Sequence, residues 1–175
     1  PVNLTFYNKD YLLYGKILNK LGSSWGERLD FQIAQGLAAK EYGYTTEEQF
    51  LNSFSNITSS GTAKLLPYSE DDYELTALIC AATPELVDKS AVSSAFYKKL
   101  SDRTASKEDV ISCYLGLAAL SEPVLPEILE LLESQDDYDW GKCEKMKLCA
   151  ALALLGDYQN ALKYYTELTE SITIY

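Results

Sequence analysis

Four cysteines, twenty-six acidic residues and no histidine set the chemistry open to this chain of 175 residues. Without histidine, Ser-His and Cys-His nucleophile pairs and every His-ligated metal site are excluded. Cys80, Cys113, Cys143 and Cys149 nowhere take the C-x-x-C spacing of a zinc or redox site. Cys80, Cys113 and Cys149 lie inside apolar runs, where a free thiol serves as a small core residue. Cys143, beside Lys142 and Lys145, is the one whose surroundings favour a thiolate. Glu70-Asp71-Asp72 and Asp136-Asp137 read either as cation sites or, more simply, as helix starts whose acids complement the helix dipole. Paired carboxylates for glycoside chemistry stay open because acids are plentiful, yet Asp139-Trp140 alone puts one in an aromatic setting. No phosphate-binding glycine loop follows a strand. The expectation is a protein that is not an enzyme, with no catalytic residues, no metal and no cofactor.

The formal charge of −11 repels phosphates, and no basic cluster reverses it locally, so nucleic acid and anionic membrane are poor partners. No run approaches the ~20 apolar residues that span a bilayer. Abundant Tyr, Ser, Thr and Asn with a single Met, together with the sequons at Asn3 and Asn56, lean towards an extracellular or cell-surface protein. A first residue of Pro1 reads as a chain processed or excised from a longer protein.

The elements that would position any site are helices, and their punctuation is legible. Ser24 with Glu27 and Thr45 with Glu48 have capping-box spacing; Ser69 and Ser106 precede acids. Gly22, Gly43 and Gly156 stand at expected helix stops, and Pro84, Pro123 and Pro126 at starts. The predicted helices are 8–21, 24–41, 46–55, 69–82, 85–101, 107–121, 124–134, 138–155 and 158–171, with a long loop at 56–68. The fold class is all-α, a single domain over 1–175, with an irregular part at 1–68 and a regular array at 69–171. Gly36-Leu37-Ala38-Ala39 recurs at Gly116-Leu117-Ala118-Ala119, and Leu117-Ala118-Ala119-Leu120 aligns with Leu152-Ala153-Leu154-Leu155 at a period of 35. Cys80-Ala81-Ala82 is a looser copy. Small residues on one face let neighbouring helices approach closely, as a stacked array demands.

Leu148, Cys149, Leu152, Gly156-Asp157-Tyr158, Ala161 and Tyr165 take the apolar, small, turn and aromatic positions of one helix–turn–helix unit. In this the segment Leu148–Leu168 resembles a tetratricopeptide repeat. Upstream, Cys113, Tyr114, Leu117 and Ser121 fall on the same slots, while Pro126 replaces the small alanine. The resemblance implies a right-handed array of antiparallel helical hairpins, an α-solenoid of about nine helices. It further implies a groove lined by the first helix of each pair, which here carries Glu108, Ser112 and Leu115, then Met146, Lys147 and Ala150. Tyr114, Tyr158 and Tyr165 would fill seams between helices. A second resemblance is to α/α-toroid domains of the α2-macroglobulin thioester type, whose Cys-Gly-Glu-Gln is missing at Cys143-Glu144-Lys145 and after every other cysteine.

Fourteen tyrosines suit a contact surface, since each offers a broad apolar face with a polar tip. The functional expectation is a non-catalytic module of a larger protein that binds a protein or peptide segment. The alternatives are a structural spacer and a fragment of an α/α-toroid enzyme or thioester protein.

Overall fold

The computed structural model describes Leu13, residues 15–17, Lys20, 26–134 and 141–170. Most of the helix expected at 8–21, the stop at Gly22, the Ser24 cap, Asp136-Asp137, Asp139-Trp140 and the last five residues lie outside them. The described helices are α1 (Leu29–Glu41), α2 (Glu47–Phe54), α3 (Tyr73–Ala82), a 3₁₀ turn (Pro84–Leu86), α4 (Lys89–Leu100), α5 (Lys107–Ala119), α6 (Leu125–Glu133), α7 (Lys142–Leu154) and α8 (Tyr158–Glu170). The regular structure of the described residues is all helical, with no strand among them.

Several helix starts differ from expectation because a better cap lies nearby. The box at α2 is closed by Thr46 and Gln49, not by Thr45 and Glu48: Gln49 N–H donates to Thr46 Oγ1 (3.2 Å) and Thr46 N–H to Gln49 Oε1 (3.0 Å). Ser69 is absorbed by a turn with Leu66, accepting its N–H at 3.1 Å and donating to its carbonyl at 3.0 Å. Asp72 therefore starts α3, accepting Leu75 N–H at 2.8 Å. The expected helix at 85–101 is split. Pro84–Leu86 forms the 3₁₀ turn, Val87 is extended, and Asp88 caps α4 by accepting Ala91 N–H at 3.0 Å. Ser106 caps α5 as expected, accepting Asp109 N–H.

Three helix ends share one geometry. After α1, α5 and α7 a residue of positive φ (Gly43 72°, Ser121 59°, Gly156 85°) donates its N–H back three residues and its successor donates back five. This is the Schellman turn, which satisfies carbonyls that a helix end otherwise leaves bare. At α7 the bonds are Gly156 N–H to Ala153 O (3.1 Å) and Asp157 N–H to Leu152 O (3.0 Å). Asp157 then caps α8, its Oδ1 accepting Asn160 N–H at 3.2 Å.

The chain forms two compact units, 1–56 with 64–70 and 57–63 with 71–175. In the first, α1 packs on α2 at Gly36, where a Cβ would stand 2.9 Å from the Phe50 ring. Phe50 meets Phe54 with ring centroids 5.4 Å apart, and Lys40 Nζ reaches Glu47 at 3.1 Å.

In the second unit α5 is central, packed on α3, α4 and α7, while α7 also meets α6 and α8. Ile111, Cys113, Leu117 and Ala118 of α5, Val92 and Phe96 of α4, Ile128 and Leu132 of α6, and Leu148 and Leu152 of α7 form one buried cluster. Gly116 admits the Phe96 ring into space that any Cβ would fill. The segment 57–63 is fastened by buried threonines. Ala63 N–H donates to Thr76 Oγ1 (2.9 Å), and Asp88 N–H donates to Thr58 Oγ1 (2.8 Å).

Candidate functional site

The Gly156-Asp157 turn is so short that α7 and α8 lie side by side and enclose a groove of about 530 Å³ on their outer face. Its α7 wall is Met146, Cys149, Ala150 and Ala153, which recur at the i, i+3, i+4, i+7 spacing of one helical face. Tyr158, Ala161, Leu162 and Tyr165 repeat the same spacing on α8. Every lining side chain is apolar or a tyrosine. Leu162 is 65% exposed and Tyr158 70%, and Met146, Leu154 and Tyr165 are exposed as well. Together these side chains leave a contiguous apolar face on the α7–α8 pair.

The residues expected to face a ligand divide. Met146 and Ala150 line the groove. Ser112 and Leu115 do not: they are 1% and 4% exposed, enclosed because α5 is packed on several sides. Glu108 stands exposed in the first turn of α5. Lys147 turns away to α3, its Nζ 2.6 Å from Glu74 Oε1. The tyrosine assignment changes in the same way. Tyr164, 9% exposed, joins the core, so Tyr158 and Tyr165, expected to fill seams, are left facing the groove; Tyr114 packs half-buried against the core. The α8 half of the site escaped sequence reading, although the Tyr158-Ala161-Leu162-Tyr165 stripe, with Tyr164 and Leu168 beside it on the core side, gives this helix more apolar face than one seam uses.

Cys149 stands at the groove floor, and burial raises its thiol pKa. Burial pushes Cys80 and Cys113 up to about 12, so both are inert protonated core residues. All four cysteines are free, and Cys143 is exposed.

A second, polar cleft is lined by Ser60, Thr62, Asp71, Tyr73, Lys98 and Asp102, among others. Its Lys99 is already neutralised by Asp109 at 3.0 Å and lies 4.9 Å from the Tyr73 ring centroid, and the Asp109 contact is the main reason its pKa is raised. Burial raises the Tyr73 hydroxyl against the pull of Lys99. Asp102 accepts the Thr104 hydroxyl at 2.7 Å, which lowers its pKa. These charges answer one another. Among the described residues no three Cys, Asp or Glu side chains converge on a metal-sized site, and no helix is long and apolar enough to cross a membrane.

Compared with protein-family models, with curated proteins and with solved structures, the chain matches none.

Proposed function

We propose that this chain is a non-catalytic interaction module of a larger protein, a right-handed array of tetratricopeptide-like helical hairpins that binds a protein or peptide segment between α7 and α8. The observation that carries the reading is the groove itself: Met146, Tyr158, Leu162 and Tyr165 keep apolar surface in water that no described element covers. Burying it would contribute at about 25 cal/mol per Å², and tyrosine loses little side-chain entropy in doing so. Supporting the array reading are the order of packing, α3 on α5 and α5 on α7, and the return of one turn geometry at Ser121 and Gly156.

Selection of a random displayed-peptide library on the full chain tests the reading. Binders should be enriched on the native protein and lost on Leu162→Glu and Ala150→Glu, substitutions at exposed positions that should leave the circular dichroism spectrum unchanged. Equal enrichment on native and substituted proteins would remove the groove as the binding site.

A further inference from the structure

The α7–α8 groove has a covered counterpart within the same unit. Thirty-five residues before Met146, Ala150 and Ala153 stand Ile111, Leu115 and Ala118 of α5, and all three are buried. Counted from their first residues, α8 and α6 align as Tyr158 with Leu125, Ala161 with Ile128, Leu162 with Leu129 and Tyr165 with Leu132. Ile128 and Leu132 are buried and Leu125 and Leu129 partly so. The helix that packs on both α5 and α6 is α7. Its core stripe is Leu148, Ala151, Leu152 and Leu155. α7 thus packs on α5 and α6 where the matching positions are buried, whereas those positions on α7 and α8 have no described element over them.

Resting on the binding-module reading above, we propose that this groove seats an amphipathic α-helix of a partner protein, carrying the stripe Leu-x-x-Ala-Leu-x-x-Leu with which α7 covers α5 and α6. A strand cannot be added there, because the groove walls are two helices whose backbone groups are spent on their own ladders. A helix satisfies its own backbone and offers a ridge of side chains every three to four residues, the shape that fits between two helices. The alanines at 150, 153 and 161 make the floor concave, and a second copy brings the same concave face, so groove against groove leaves the floor unfilled. The lining carries no charge, which leaves apolar shape to select the partner.

The probe is a synthetic peptide of residues 142–155 with Cys143 and Cys149 replaced by serine, titrated into the isotope-labelled full chain. We expect saturable binding, amide shifts confined to α7 and α8, and helix formation by the peptide. Leu162→Glu in the chain, or Leu152→Glu in the peptide, should weaken binding at least tenfold. Binding indifferent to both substitutions overturns the proposal, as does concentration-dependent self-association of the chain that Leu162→Glu abolishes while the peptide fails to bind. If displayed peptides bind the groove in extended form and the helix peptide does not, the helical partner is wrong and the binding module stands; if neither engages Leu162, both fall.

Discussion

Ser121 and Gly156, thirty-five residues apart, hold the same left-handed backbone, φ 59° and 85°, and close the same two hydrogen bonds onto the carbonyls of Ala118 and Leu117 in one case and Ala153 and Leu152 in the other. One turn chemistry thus ends both α5 and α7, once with the residue suited to it and once without. Glycine enters this region freely, whereas serine pays steric strain at its Cβ.

Replacing Ser121 with Gly should therefore stabilise the protein by about 0.5 kcal/mol, the strain relieved exceeding the entropy added to the unfolded chain. Gly156→Ala should cost about 1 kcal/mol through backbone strain alone, because no atom lies within 4 Å of where the new Cβ would stand. Urea unfolding midpoints decide it; shifts of the same sign in the two variants would contradict the shared-turn account.

Gly116→Ala meets a different obstacle, since the added Cβ would collide with the buried Phe96 ring. Overpacking of this kind costs about 1–3 kcal/mol. Phe96→Leu should be less harmful in the Gly116→Ala background than alone, giving a coupling of about 1 kcal/mol in a double-mutant cycle. Additive losses would mean that the two do not share space.

Thr76→Val keeps the side-chain volume and removes the acceptor of the buried Ala63 N–H. An orphaned buried amide costs about 1–3 kcal/mol. Hydrogen exchange at Ala63 should accelerate with the loss, and native-like protection there would show that another group takes the bond.

The buried thiols predict a direction for alkaline destabilisation. Cys80 and Cys113 are raised by burial from the usual 9.0 to about 12, so between those values the unfolded chain has released protons that the folded one retains. The unfolded state binds fewer protons there, and stability falls as pH rises from about 9 towards about 12, by up to about 1.4 kcal/mol per pH unit for each cysteine. A Cys80→Ala, Cys113→Ala double variant should lose stability with pH more gently than the native protein, and parallel curves would mean that the thiols titrate freely in the fold.

The helices were legible where local chemistry is decisive. The Gly156 stop, the Ser106 cap and the starts of α5 and α8 sit within a residue of expectation, because a left-handed stop or an oxygen cap is set by neighbours along the chain. Starts drifted by four residues at α3 and α4, where several oxygens competed for the same N–H groups and long-range bonds settled the contest: Thr58 holds Asp88 N–H, and Thr76 holds the loop at Ala63.

Which side of each helix faces water was a question of another order. A helix of small and bulky apolar residues such as α5 or α7 reads alike from the sequence all round its circumference, yet Leu115 is enclosed while its counterpart Ala150 is open. Likewise Tyr164 and Tyr165 are neighbours of one type, one in the core and one in the groove. Apolar composition and turn residues dictate that rods form and where they end, since those free energies are local. The choice of exposed face depends on how many other rods pack against each one, a property of chain segments far apart, and it is that choice which leaves a groove between α7 and α8.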